Sequence, residues 1–432
     1  MIIEQDLFSR TLSLFSDFWE RAWFLWQRSR GIFHVRGYGA RGEGMVDEIE
    51  FIEQAALDAI AYARRWGTGA KLVFEYGQYF VSRKVRITES AVEIEGAGGG
   101  RELWTKMGTW VCPTADFPDG EAVFSFDPSE GTHSLFGNKL SKIAIVAPEQ
   151  YPLTNVVHGI HWGVAKGIID DVYVLGVSGR GLGIQGYSTK YKGYDSHISR
   201  SSFRKCGTHG IEFLGACSDI WFHEVKSEGN VNGSGLEGLG ANCYYLACHF
   251  TGNKNNIRNV GGATEILLLG CNMETPEEHN LDLTVTSGGI SRLRIIGCQI
   301  DCNRLSADGV WDAIFIGSSA GNYTCSGVIM GNTFAASDDI CKPRHLINIS
   351  NKAGFQLDIA HNTWAKSVYR LSAVNHAAAA TRCLLNGMGR NGSFDPNVAG
   401  EWFGYGEDGI HVVQDLPTGP KIFTSYNDVW IG

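Results

Sequence analysis

The chain has 432 residues, of which 55 are glycine and only 10 proline, with 44% hydrophobic, 11% aromatic and 19% charged residues. Glycine without proline and without a three-residue period excludes collagen, and so large an apolar fraction excludes a disordered chain. A formal net charge of −9 makes nucleic acid and anionic membranes poor partners, while leaving neutral ligands or acidic ones held by a local cation cluster.

The 11 cysteines contain no CxxC pair and no Cys/His zinc spacing, so neither a disulfide scaffold nor a metal is expected. No phosphate-loop motif is present, and no cofactor is expected.

Residues 1–31 carry Leu7, Phe8, Leu12, Phe15, Trp19, Trp23 and Trp26 at three- and four-residue steps, which predicts an amphipathic helix. Charges interrupt it too often for a membrane span, and no cleavable leader is legible. Its apolar face has three possible partners: its own chain, a second copy or another protein, or a membrane surface. From residue 47 an apolar stripe of Ile49, Ile52, Ala56, Ala59 or Ile60, and Ala63 predicts a helix over 47–66. Asp47 and Glu50 have the spacing of a capping box at its start.

The string Tyr38-Gly39-Ala40-Arg41-Gly42-Glu43-Gly44, followed by Asp47-Glu48, a helix and Gly77-Gln78-Tyr79, resembles the entry motif of the pectate-lyase-like superfamily. It departs from that motif at Glu43 and Glu48, where the pattern has Asp, and at Glu75-Tyr76, where prolines are common. The resemblance covers about 60 residues. It implies an all-β chain, a right-handed single-stranded parallel β-helix whose open end the 47–66 helix caps. Gly42, Glu43, Gly44 and Asp47 would then be architectural.

Internal repeats support a solenoid independently. Short segments centred on Val172, Phe203, Val225, Phe250, Met273, Ile300, Phe334 and Trp364 each place an apolar residue between polar neighbours. From Phe203 onward the steps are 22, 25, 23, 27, 34 and 30 residues. Two residues earlier runs the column Ser201, His223, Cys248, Cys271, Cys298, Asn332, Asn362. Five earlier runs Ile198, Ile220, Tyr245, Leu268, Ile295, Ile329, Ile359. Units of this length with Gly/Asn turns fit stacked coils, with Cys248, Cys271 and Cys298 as a buried reduced ladder. The solenoid is expected over 32–375, and residues 376–432 are expected to cap it or to mediate oligomerisation.

Stacking brings outward residues of neighbouring coils about 4.8 Å apart. One predicted outward column is Arg204, Lys226, Thr251, Glu274, Asp301, Ala335. A second is Gln185, Glu212, Glu237, Arg258, Asp282, Phe315, Asn348. Paired carboxylates are what glycosidic hydrolysis requires, so Glu237, Asp282, Glu274 and Asp301 are the candidate catalytic residues. Glu212, Arg258, Lys226 and Trp221 are the candidate substrate-binding residues. The same acids with Arg258, Lys226 or Arg204 would suit elimination on a uronate, and carboxylates on a solvated face can also be merely solubilising. Tyr244, Trp311, Phe315 and Trp364 join Trp221 as possible sugar platforms, with core packing as the alternative for each. His209, His223, His249 and His279 follow no motif and are expected to be structural.

The β-helix resembles those of phage tailspike depolymerases. That resemblance implies a homotrimeric virion protein that binds and cleaves a bacterial surface polysaccharide, capsule or O-antigen, with the N-terminal helix contacting a tail or adaptor protein. The other readings are a polysaccharide lyase, a non-catalytic glycan-binding spike, and a secreted or cell-surface enzyme of different chemistry such as an epimerase.

Overall fold

The computed structural model describes residues 18–98, 108–128, 134–149, 152–186, 194–230, 232–261, 263–285, 289–303, 311–318, 325–335, 342–349, 355–364, 372–376, 382–388, 401–406, 411–415 and 419–422. The chain winds as a parallel β-helix with three strand faces per coil. The first face includes His197–Ser199, Trp221–His223, Cys243–Leu246, Ala263–Leu269, Ile290–Ile296 and Cys325–Met330. A corner later, the second includes Ser202–Arg204, Lys226–Glu228, His249–Thr251, Asn272–Glu274, Gln299–Asp301 and Thr333–Ala335. The third is a separate sheet of 11 strands running from Val85–Ile87 to Ser372–His376.

The corner between the first and second faces is made by a residue in the left-handed region. Coil by coil these are Lys142, Asp171, Arg200, Glu224, Ala247, Gly270, Gly297, Gly331 and His361, with φ from 46° to 67°. A Cβ at Gly270 or Gly297 would meet nothing within 4 Å, so glycine there serves the dihedral and not the space. Gly77 is the opposite case. A Cβ on it would lie 2.6 Å from the carbonyl oxygen of Gly42 and 2.8 Å from its Cα. The two glycines of the entry motif are therefore a close backbone crossing.

Ile49–Trp66 is helical and ends on Gly67 in the left-handed region. It buries Ile49, Ile52, Ala55, Ala56, Ala59, Ile60 and Ala63 against strands Ile32–His34, Ala70–Val73 and Val85–Ile87. The expected capping box is not formed. Asp47 accepts from the amides of Ile49 and Ser82, and Glu50 turns away to Arg83. Glu48 is the buried carboxylate instead, and it accepts the amides of Arg41 and Gly42. A longer acid at this position reaches the turn and ties it to the helix start.

Residues 18–29 are also helical. Trp23 and Phe24 pack on His34, with centroids 4.7 and 5.5 Å away, and Arg28 stacks on Tyr38. Phe18, Trp19, Leu25 and Trp26 remain exposed, so the helix uses only one side on its own chain. No described helix is long and apolar enough to cross a membrane. Leu7, Phe8, Leu12 and Phe15 lie outside the described residues.

Strand register corrects the repeat at two units. Phe203 pairs with Ser227, and Ser227 with Phe250, so the central column is Val174, Phe203, Ser227, Phe250, Met273, Ile300, Phe334, Trp364. The steps around Ser227 become 24 and 23 residues, and Val172 and Val225 fall two residues before the centre. Ile220 gives way to Phe222, which pairs with Tyr245, their rings stacked at 4.9 Å and 9°. Ser227 is buried, and its hydroxyl donates to the Gly235 carbonyl and accepts from Asn230. A satisfied hydroxyl is tolerated in the core where a bare one would not be.

Cys248, Cys271 and Cys298 stack, buried and without disulfides, and Asn332 and Asn362 continue the column. Parallel pairing carries on past residue 375 through Arg382–Met388 to Glu401–Gly406. His411–Asp415 and Gly419–Ile422 then pair antiparallel at the end.

Candidate functional site

The candidate residues divide among the three faces. On the third face Glu212, Glu237, Arg258, Asp282, Phe315 and Asn348 form one outward column, as the sequence predicts. Gln185 does not belong to it, because Gly183 pairs with Glu212 and Gln185 with Leu214. Arg258 stands between two acids, its Nη1 3.2 Å from Glu237 and its Nε 3.6 Å from Asp282. Ser234 and Thr284 add hydroxyl donors, one to each carboxylate, at 2.8 Å. Glu212 is bound by Arg180 at 2.5 Å. The charges on this face are thus largely paired.

On the second face the outward column is Leu175, Arg204, Glu228, Thr251, Glu274, Asp301, Ala335. Lys226 is not in it. It pairs with Ser202 and His249, two positions earlier on the strand, because of the two-residue shift at Ser227. Glu274 and Asp301 sit on adjacent coils, their strands held in register by Met273 on Ile300. Asn272 donates to Glu274 at 2.5 Å, and the His249 ring nitrogen lies 3.4 Å from its other oxygen. Burial raises the Asp301 carboxyl above the ordinary carboxylate range, and the nearby Glu274 charge adds to the rise. Hydrogen bonding from Asn303 partly opposes both.

Trp221 faces outward from the first face, stacked between His197 at 6.1 Å and Tyr244 at 4.2 Å. This makes an exposed aromatic ladder, but one on a different face from either acid pair. Trp311 is buried at 1% exposure and is a core residue, not a sugar platform. Phe315 is partly exposed and stacks on His279. The Trp364 side chain lies outside the described residues.

Sequence reasoning missed a polar cluster at the start of the third face. His161 Nε2 lies 2.9 Å from Asp127, and Ser125 donates to the same carboxylate. Burial works to raise Asp127, but the hydrogen bond and charge of His161 hold it below the usual range. Burial and the Arg180 guanidinium push the His158 imidazole down to about 4. The only signal was His158-Gly-Ile-His161, two histidines at a spacing with no motif behind it.

No family model matches the chain, and no curated protein matches it. Solved structures do. The tailspike protein gp49 of Acinetobacter baumannii bacteriophage Fri1, a capsular polysaccharide depolymerase, superposes with a TM-score of 0.56 at 12% identity, over 89% of this chain and 68% of that one. The DFA-IIIase of Arthrobacter chlorophenolicus A6, without its lid, gives 0.53 at 17% identity, over 86% and 97%. ORF18 of Geobacillus virus E2 gives 0.53 at 19% identity, and this chain spans 62% of its length while 76% of this chain is covered. At these identities the likeness shows the fold: the right-handed parallel β-helix that the entry motif implied.

Proposed function

We propose that the chain binds and cleaves a bacterial surface polysaccharide, capsule or O-antigen, by glycosidic hydrolysis at Glu274 and Asp301. The observation that carries this is a pair of carboxyls one coil apart, of which the Asp301 carboxyl is raised above its ordinary range by burial, with the neighbouring Glu274 charge adding to the rise. One coil rise, about 4.8 Å, is close to the roughly 5–5.5 Å that separates the two carboxyls of retaining glycosidases. Asp301 gives its proton to the glycosidic oxygen as the C1–O bond breaks, and Glu274 attacks C1 to form a glycosyl ester. Asp301, now a carboxylate, takes a proton from water, whose oxygen opens the ester and frees Glu274. His249 and Asn272 position the Glu274 carboxylate. Glu237 and Asp282 are less suited, since Arg258 lies between the two carboxylates and is ion-paired with both.

Elimination on a uronate is the second reading, favoured by Arg200, Arg204 and Lys226 lining one cavity upstream on this face. The named activity of the Fri1 tailspike supports a glycan substrate, and the two phage proteins support a place on a virion. In that setting the chain acts as a homotrimer, with Phe18, Trp19, Leu25 and Trp26 as an attachment or assembly surface. The test is release of reducing ends from capsule and O-antigen preparations, with absorbance of an unsaturated uronate as the mark of elimination. Glu274→Gln and Asp301→Asn abolish the release while circular dichroism is unchanged. Full activity in both variants removes the assignment.

A further inference from the structure

A cavity of about 420 Å³ opens where the first face turns into the second, lined by residues of three successive coils. That is within the size range of small-ligand sites. Its three cations are not equivalent. Arg200 is held by Asp170. Arg204 commits Nη2 to Glu228 at 2.6 Å and Nη1 to the Tyr173 hydroxyl at 3.2 Å. Lys226 is exposed, and its ammonium has no hydrogen bond or ion pair among the described residues. Two further groups are uncommitted: Ser202 Oγ and Arg204 Nε are covered from solvent and have no partner among the described residues. A buried donor left unpaired is costly, and an acceptor brought by a ligand would offset that cost. Ser202 pairs directly with Lys226 in strand register, so the three uncommitted groups lie on two neighbouring strands. The carboxylates Asp171 and Glu224 come from the left-handed corner, and Glu228 is already engaged by Arg204. The wall therefore has donors to spare in one place.

Position gives this a meaning. Arg204, Glu228, Thr251, Glu274 and Asp301 form one outward column, so the cavity lies three coils from Glu274, about 14 Å at the inter-strand spacing. A linear glycan lying along the solenoid axis would occupy both places.

We propose that this cavity is a subsite for a carboxylate-bearing sugar, a uronate unit in the same glycan that is cleaved at Glu274 and Asp301, held by Lys226, Arg204 and Ser202. It rests on the glycan reading but on different residues. The test is isothermal titration of the full chain carrying Glu274→Gln, which prevents turnover. The probes are oligogalacturonate, alginate and hyaluronan fragments, a neutral maltooligosaccharide of similar length, and inorganic phosphate. At least one uronate probe binds, more weakly as salt rises, and the neutral chain and phosphate do not compete at equal concentration. Lys226→Met lowers that affinity at least tenfold, Ser202→Ala lowers it less, and Lys84→Met, a lysine beside the first strand of the third face, leaves it unchanged. Equal binding of the neutral chain or of phosphate, no binding of any uronate probe, or an unaltered affinity in Lys226→Met overturns the proposal. Uronate binding alongside an Asp301→Asn variant that still cleaves would sink the catalytic assignment and leave the subsite standing. Cleavage that needs Asp301, without uronate binding, would do the reverse.

Discussion

Replacing Asn332 by Ala removes a side chain that is fully buried and holds two coils together. Its Oδ1 accepts the Cys298 amide at 2.8 Å, and its Nδ2 donates to the Ile295 carbonyl at 3.0 Å and to Asn362 Oδ1 at 2.8 Å. Asn362 Oδ1 keeps a donor, because the backbone amide of Asn332 also reaches it at 3.0 Å. The Cys298 amide has no such substitute. Loss of the ladder bonds costs about 1–3 kcal/mol net, and the stranded amide about 1–3 kcal/mol more, so the total is about 2–6 kcal/mol. The exposed Asn232→Ala is the control, with an effect within about 0.5 kcal/mol. Equilibrium urea unfolding gives the difference, and native-state hydrogen exchange at the Cys298 amide locates it. Equal stability of the two variants, or unchanged protection at Cys298, would refute the view that the amide ladder carries coil-to-coil stability.

Cleavage depends on a protonated Asp301, whose folded value is raised, so activity falls as pH rises through that value. Glu274→Asp keeps the neighbouring charge and so keeps this alkaline limb above the ordinary carboxylate range, and a limb at an ordinary carboxylate value in both proteins would count against burial as its main cause. His158 is depressed to about 4, so its stabilising contribution is complete above the unfolded imidazole value near 6.5 and is lost as pH falls from there toward 4. Its ring resonances should stay those of the neutral form down to about pH 5, and titration near 6.5 would contradict the assigned burial. Gly77→Ala forces a Cβ into the Gly42 backbone, so it should yield little soluble folded protein, whereas Gly270→Ala should fold with a modest loss from its dihedral alone. Normal thermal stability of Gly77→Ala would mean that the crossing of the entry motif can relax.

The two misplaced units show where pattern reading stops. Strand alternation has a period of two, so a shift of two residues leaves inward residues inward and cannot be detected from polarity. Val225 and Ser227 are both buried, and the apolar one was the natural choice for the centre. Only the amide and hydroxyl network around Asn230 and Gly235 makes a serine fit there. The same shift moved Lys226 from the column of Glu274 to that of His249. Trp311 failed for a related reason: an aromatic beside a strand can turn either way, and neighbouring coils decide.

By itself the sequence determined the solenoid, its capping helix, the buried cysteine ladder and the third-face column of Glu212, Glu237, Arg258 and Asp282. These follow from local alternation and from repetition of short similar units, both of which are one-dimensional. The tertiary structure alone decided that the candidate residues fall on three faces. It also decided that Arg258 compensates both of its acids while Asp301 is left raised beside Glu274. Those outcomes depend on the angle at each left-handed corner and on which side chains meet across coils. Inward and outward are written along the strand, but the direction in which an outward residue looks is set only when the chain has turned.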